Sequence, residues 1–273
     1  MVQRWHVPLE VLFFVIAFAF SWGIWLAVAT VEGELSLVHE VAVGVAAAGP
    51  SLAGVLCTAL GDGRSGIRRL LGSLLQWRMA ARWYVLSLGG PLVLALNAVA
   101  FHRILIGADA RFRLDPSTVA LIPPALIAGF LIGSLQEELG WRGFALPRLL
   151  RRWGRLRAAL VLGVAWACWH VPLYAIETSG QERMPLPVFL FSVIALSVLY
   201  TWFWAVTGGR LVVALLLHSA TNVAGVLLLK DARGDFGPAI IAMAFTIALA
   251  GAAARDLRRI PARAPNAERT NEP

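Results

Sequence analysis

Charge is scarce in this sequence. Of its 273 residues, 15% are Asp, Glu, Lys or Arg and 59% are hydrophobic, with a mean hydropathy of +0.72. The one-sided apolar periodicity of helices packed in a water-soluble domain is also missing, because nearly every apolar stretch is apolar on both faces. Lipid solvates such surfaces and water does not, so a separate soluble domain is excluded. Cysteine is limited to Cys57 and Cys168, both inside apolar runs, and no CxxC or Cys/His cluster is present. That excludes a disulfide framework and a structural zinc site. There is no Walker-type phosphate loop, no G-x-S-x-G elbow and no HExxH. These absences argue against phosphoryl transfer, serine hydrolysis and a zinc ion held by two ligands on one helical turn.

What is present is apolar sequence in blocks of about 20 residues, the length a helix needs to cross the hydrocarbon core. Such blocks cover 9–30, 37–60, 83–107, 118–136, 157–176, 186–206, 209–229 and 237–254. The expected fold is all-α: a polytopic bundle of about eight transmembrane helices with amphipathic interfacial helices, forming one domain over 1–254. The stretch 255–273, with Pro261, Pro265 and Pro273 among charges, reads as a disordered basic tail. Ala27-Val28-Ala29 looks like a small-residue cleavage site, but the first block is too long for a signal peptide and Glu10 interrupts its basic leader. It is read as a retained span.

Most of the 24 basic residues fall in the N-terminus, the loops after even-numbered spans and the tail. This predicts that both termini are cytoplasmic, in an integral protein of a bacterial cytoplasmic membrane. The net charge of +8 is then an orientation signal and an attraction to anionic headgroups of the lipid bilayer. Nucleic acid is excluded as a partner, because the arginines lie beside spans and form no separate basic domain. Two basic loops, Gly61 to Arg82 and Gly143 to Arg157, are amphipathic. In the second, Phe144, Leu146, Leu149, Leu150, Trp153 and Leu156 recur at helical spacing against Arg148, Arg151, Arg152 and Arg155. A helix in the headgroup layer would show this pattern. Trp5, Trp77, Trp83 and Trp153 near span ends read as an aromatic belt.

Three apolar runs carry ionisable groups, each costing about 2.5–3.5 kcal/mol at the centre of a membrane helix on insertion scales. The first run ends in Gln136-Glu137-Glu138-Leu139-Gly140-Trp141-Arg142. Glu138 and Arg142 are four residues apart and can pair on a helix, while Glu137 is rotated by about 100°. The pair would order the site, and Glu137, near a like charge, would act as a general base. The second run ends in Trp166-Ala167-Cys168-Trp169-His170, with Trp166 on the face of His170 and able to wall off water. The third holds His218-Ser219-Ala220-Thr221-Asn222, where His218 and Asn222 share a face and can aim donors at one oxyanion. Each motif also has a structural reading: solvated interfacial glutamates, a satisfied helix-end histidine, and a polar clamp between helices. Together they describe a hydrolytic site.

The order EExxxR, an aromatic residue four before His, then HxxxN resembles the CAAX prenyl protease and bacteriocin-processing family of intramembrane endopeptidases. The likeness covers roughly residues 70 to 225, and includes Leu74-Leu75-Gln76-Trp77-Arg78, Arg82-Trp83-Tyr84 and His170-Val171-Pro172-Leu173. It implies that Glu137 activates water with His170, that His218 and Asn222 hold the oxyanion, and that Glu138 with Arg142 orders the site. One departure is Trp166, where the family usually has Phe. The implied substrate is a peptide or protein, such as a lipidated tail or a bacteriocin leader. No cofactor is expected. Zinc is the lesser option, with Glu137, His170 and His218 as its ligands and Asn222 a poor one. Two rival classes remain at this point: a non-catalytic scaffold or immunity protein of the same fold, and a proton-coupled transporter.

Overall fold

The computed structural model describes residues 8–31, 37–106, 116–179, 181, 184–228 and 235–259. The protein is an all-helical polytopic membrane protein. Among the described residues six helices are long and apolar enough to cross a membrane, or seven if the bent pair α2 (Leu37–Ala46) and α3 (Gly49–Gly72) is one span broken by 43°. The expected polytopic bundle of about eight compares with these six or seven, with Leu211–Val226 as a further, shorter apolar helix. Residues 209–229, read as a full span, form α10 (Leu211–Leu228), and its apolar portion, Leu211–Val226, falls short of the others. Its first ten residues, Leu211 to Ala220, are all buried, while Asn222 and Val226 beyond them are exposed. That first part is apolar on all sides with protein around it, and periodicity cannot tell that from lipid.

The remaining long helices are α1 (Leu9–Ala29), α4 (Ala81–Ile106), α8 (Arg155–Trp169), α9 (Leu186–Val206) and α11 (Gly237–Arg259). Helix α11 runs to Arg259, so Arg255 to Arg259 of the expected tail are helical. The rest of that tail, 260–273, lies outside the described residues. One continuous segment, Val119–Trp153, joins α5 (Pro116–Ala128), α6 (Leu135–Glu138) and α7 (Leu146–Trp153) through two π-helical stretches, Gly129–Ser134 and Leu139–Ala145. Each π stretch widens the turn and re-aims the side chains that follow, and such insertions recur at functional sites.

Helix α7 is the second amphipathic loop of the sequence: Leu146 and Leu149 are buried, while Arg151 and Arg152 are exposed. The first runs as helix through Gly72, kinked at Gly63, whose φ of 60° and ψ of −157° only glycine adopts readily. Arg148 pairs with Asp62 at 2.9 Å and Arg152 with Glu10 at 3.2 Å. Trp83 meets Trp202 and Phe203 edge-on, and Trp202 Nε1 donates to Asp256. One end each of α1, α3, α4, α7, α9 and α11 therefore gathers at the same end of the bundle, made arginine-rich by α3, α4, α7 and α11.

Close helix contact at the centre depends on glycine. A Cβ on Gly140 would overlap the carbonyl of Pro50, and one on Gly54 would lie 3.1 Å from the Cα of Gly140. Absence of side chains lets α3 touch the segment just after the glutamate pair. Two side-chain bonds fix that crossing: Ser51 Oγ donates to the Leu135 carbonyl at 2.9 Å, and Gln136 Nε2 to the Gly44 carbonyl at 3.0 Å. The break between α2 and α3 thus holds the helix that presents Glu137 and Glu138.

Candidate active site

Glu137 and Glu138 end α6, with Arg142 in the π stretch beyond; Trp166 and His170 close α8, and His218 lies midway along α10. All six are buried, Glu138 and Arg142 completely. Arg142 Nη1 donates to Glu138 Oε1 at 2.7 Å. His218 Nδ1 lies 2.9 Å from the same oxygen. A carboxylate has no proton to give, so Nδ1 carries the hydrogen and donates. The imidazole is thereby oriented, with Nε2 directed to Glu137 Oε1 at 3.7 Å. The two carboxylates do not diverge as the 100° rotation suggested. Both reach His218, one at each nitrogen of its ring.

Trp166 has more to do than wall the site. Its Nε1 donates to Glu137 Oε2 at 2.6 Å, a charge-assisted bond that leaves Oε1 for other partners. Its backbone carbonyl accepts from His170 Nδ1 at 2.8 Å. By the same logic His170 Nδ1 holds the hydrogen, so a neutral His170 has its lone pair on Nε2. The Trp166 ring packs edge-on to His218, and the Arg142 guanidinium lies 4.3 Å from its centroid. One indole therefore touches or bonds four polar members of the cluster.

Asn222 stands apart. It is exposed, one helical turn past His218 on α10, and its Nδ2 would be 3.1 Å from a Cβ on Gly133. The helices run antiparallel along this seam, with Leu211 beside Gly143, His218 beside Glu138 and Asn222 beside Gly133. Asn222 shares the seam with His218 and makes no bond to the buried cluster.

Tyr200 was not singled out in the sequence. It is buried on α9, its hydroxyl donates to Thr221 Oγ1 at 3.0 Å, and its ring centroid lies 4.9 Å below the Arg142 guanidinium. Arg142 is thus sandwiched between Trp166 and Tyr200, an arrangement that steadies a desolvated cation. The available signal was a hydroxyl-bearing aromatic near the middle of an apolar run, in a sequence with three tyrosines. Phe189 and Trp169 complete the wall on either side of His170.

Arg142 Nε and Nη2 have no hydrogen-bond partner, and Arg142 also lines a cleft of about 200 Å³ with Thr58, Asp62, Arg69, Ser73 and Arg148. This cleft leads from the arginine-rich end of the bundle to the buried ion pair. Zinc is a poor fit: among the described residues no three His, Cys, Asp or Glu side chains are arranged to hold a metal ion. The bonds to Glu137 Oε2 and to the Nδ1 atoms of His170 and His218 leave Glu137 Oε1 and the two Nε2 atoms uncommitted, so the misfit rests on how the side chains are arranged and not on occupied donors.

All of these groups from Glu137 to Asn222 fall within residues 119–224, which match the family described as "Type II CAAX prenyl endopeptidase Rce1-like". Over those residues the chain is similar to that family. It is a family of membrane proteases. The chain is also 30% identical over 105 residues to CAAX prenyl protease 2 of Methanococcus maripaludis, a match covering 36% of this chain and 38% of the relative. The shared region is thus well under half of that relative's length.

Proposed function

We propose that this chain is an intramembrane endopeptidase in which Glu137 activates water to cut a peptide bond near the arginine-rich face of the bundle. The observation that carries the reading is the buried pair of carboxylates meeting one imidazole, inside the segment that matches the family. A structural clamp needs one carboxylate for Arg142, and Glu138 supplies it. Glu137 is left with a free oxygen beside two histidines. Burying it has a cost that a catalytic role explains.

In the proposed reaction Glu137 Oε1 takes a proton from water, and the oxygen adds to the scissile carbonyl carbon. His170 Nε2 accepts the second hydrogen of that water in a bond. The developing oxyanion is met by the Nδ2 of Asn222 and by Nε2–H of His218 in its imidazolium form. Collapse of the adduct breaks the C–N bond, and the proton held on Glu137 passes to the leaving amine. Trp166 keeps Glu137 in place, while Glu138 and Arg142 hold His218. Non-helical substrate backbone at this depth must be satisfied by protein or water, and the cleft beside Arg142 offers both. The proposed substrates are peptides or proteins at the membrane surface, with lipidated tails and bacteriocin leaders as the two classes to test, and the proposed orientation puts the arginine-rich face in the cytoplasm.

Glu137→Gln keeps the shape and removes the base. Incubated with membrane proteome and leader-peptide libraries, it should lose about 10²–10⁴-fold in peptide-bond cleavage while its melting transition in detergent is unchanged. A folded variant with undiminished cleavage, or a wild-type protein whose biological effect survives the substitution, would point to a scaffold. Dialysis against EDTA should leave turnover intact. Stoichiometric zinc removed together with activity would overturn the metal-free route.

A further inference from the structure

A second cavity, outside the candidate active site, lies between the α3–α4 connection and the α9–α10 turn at the arginine-rich end. Its volume is about 770 Å³, and it is lined by Trp77, Arg78, Met79, Ala80, Trp83, Tyr84, Val206, Thr207, Gly208 and Arg210. We propose that this cavity is a binding site for the phosphate headgroup of an anionic phospholipid.

The lining holds two guanidinium groups and no carboxylate, so its charge is uncompensated from within. Its walls are held in shape from both sides. Tyr84 hydroxyl donates to the Trp77 carbonyl and pins the connection, and Arg210 Nη1 donates to the Thr207 carbonyl and sets the plane of its guanidinium. The turn itself requires glycine, with φ of 75° at Gly208 and 85° at Gly209. A planar guanidinium so oriented suits the bidentate geometry of a phosphate.

Location decides between a lipid and a soluble phosphate. The cavity opens where α4 begins and α9 ends, both membrane-crossing helices, and Trp77 and Trp83 stand at its rim as interfacial anchors do. Arg82 stacks on Trp83 with its guanidinium 5.1 Å from the ring, adding a third positive charge at the mouth. Basic pockets between transmembrane helices at this depth recognise lipid headgroups. The proposal does not depend on proteolysis.

The test uses the full chain in detergent with phosphatidylglycerol or phosphatidylcholine, reading retained lipid by native mass spectrometry. Wild type should retain phosphatidylglycerol at least about tenfold better than phosphatidylcholine, and the Arg78→Gln/Arg210→Gln pair should lose that preference. Arg258→Gln/Arg259→Gln removes two exposed arginines at the same end of the bundle and should keep it. Because Arg210 also caps the turn, Arg78→Gln alone is made too; Arg78 is exposed, and the folded variant should still retain severalfold less phosphatidylglycerol. Equal losses in the two pairs would reduce the effect to general surface charge and overturn the site. So would an unchanged preference in the folded Arg78 variant. Displacement of the lipid by equimolar inorganic phosphate would overturn its assignment to a lipid.

Discussion

The two halves of the segment Val119–Trp153 reverse the usual rule of globular proteins. Its first half, through Ile132, is almost wholly apolar and mostly exposed, with Leu121, Ile127 and Ile132 each more than half open. Its second half carries Glu137, Glu138 and Arg142 and is mostly buried. In a bilayer this is the stable arrangement: lipid accepts apolar side chains as well as a protein core does, and no water is there to accept the charged ones. Polar groups therefore gather where they can satisfy each other. The contrast teaches that along this segment buried charge marks the candidate site, while exposed apolar surface marks contact with lipid.

The largest effect should come from unbalancing the buried half. Arg142→Met removes the cation that sits 2.7 Å from Glu138 and leaves a fully buried carboxylate held by His218 alone. Breaking a buried pair by removing one partner costs about 3–5 kcal/mol. Chemical unfolding in mixed detergent should show a loss of that size. Replacing both partners, as Glu138→Gln/Arg142→Met, should restore a large part of the stability while activity stays low, because His218 loses its anchor. If the single variant is as stable as wild type, the pair is solvated and the contrast between the halves is wrong.

A smaller effect separates shape from hydrogen bonding. Trp166→Phe preserves an aromatic wall and deletes the donor to Glu137 Oε2. Turnover should fall by about tenfold, equivalent to ~1.4 kcal/mol, through kcat with KM unchanged, since the indole places the base and is not assigned to bind substrate. A change in KM alone would make Trp166 a wall of the pocket and nothing more. The measurement asks what the indole N–H adds to an aromatic wall at this position.

Much of this was legible in the sequence, for the same reason that the halves differ. Glu137, Glu138, Arg142, His170 and His218 stand out because charge inside an apolar run is expensive, and that expense is visible without coordinates. The long helices were legible because lipid demands a fixed length of apolar chain. The π stretches on either side of α6 were not, since Gly129–Ser134 and Leu139–Ala145 obey no periodicity that separates them from α-helix. They flank the short helix that carries both glutamates. Nor does hydropathy distinguish the buried first part of α10, Leu211 to Ala220, from a lipid-facing span. Tyr200 and the several bonds of Trp166 depend on helices meeting across long stretches of chain, and nothing local records that.

The smallest expected effect lies in the exposed half and tests the lipid side of the contrast directly. Ile132 is 65% exposed, on the same segment as Glu137 and a little more than one turn before it. Its side chain faces lipid whether or not the bundle is assembled, so truncation removes few packing contacts and no hydrophobic driving force between helices. Ile132→Ala should change stability by less than about 0.5 kcal/mol, the range of substitutions that touch no special feature. A loss of ~2 kcal/mol or more, in the range of core truncations, would mean that protein covers this face in the membrane. The exposed half would then be an interface between chains, and exposure in the single chain would cease to be a sign of lipid contact.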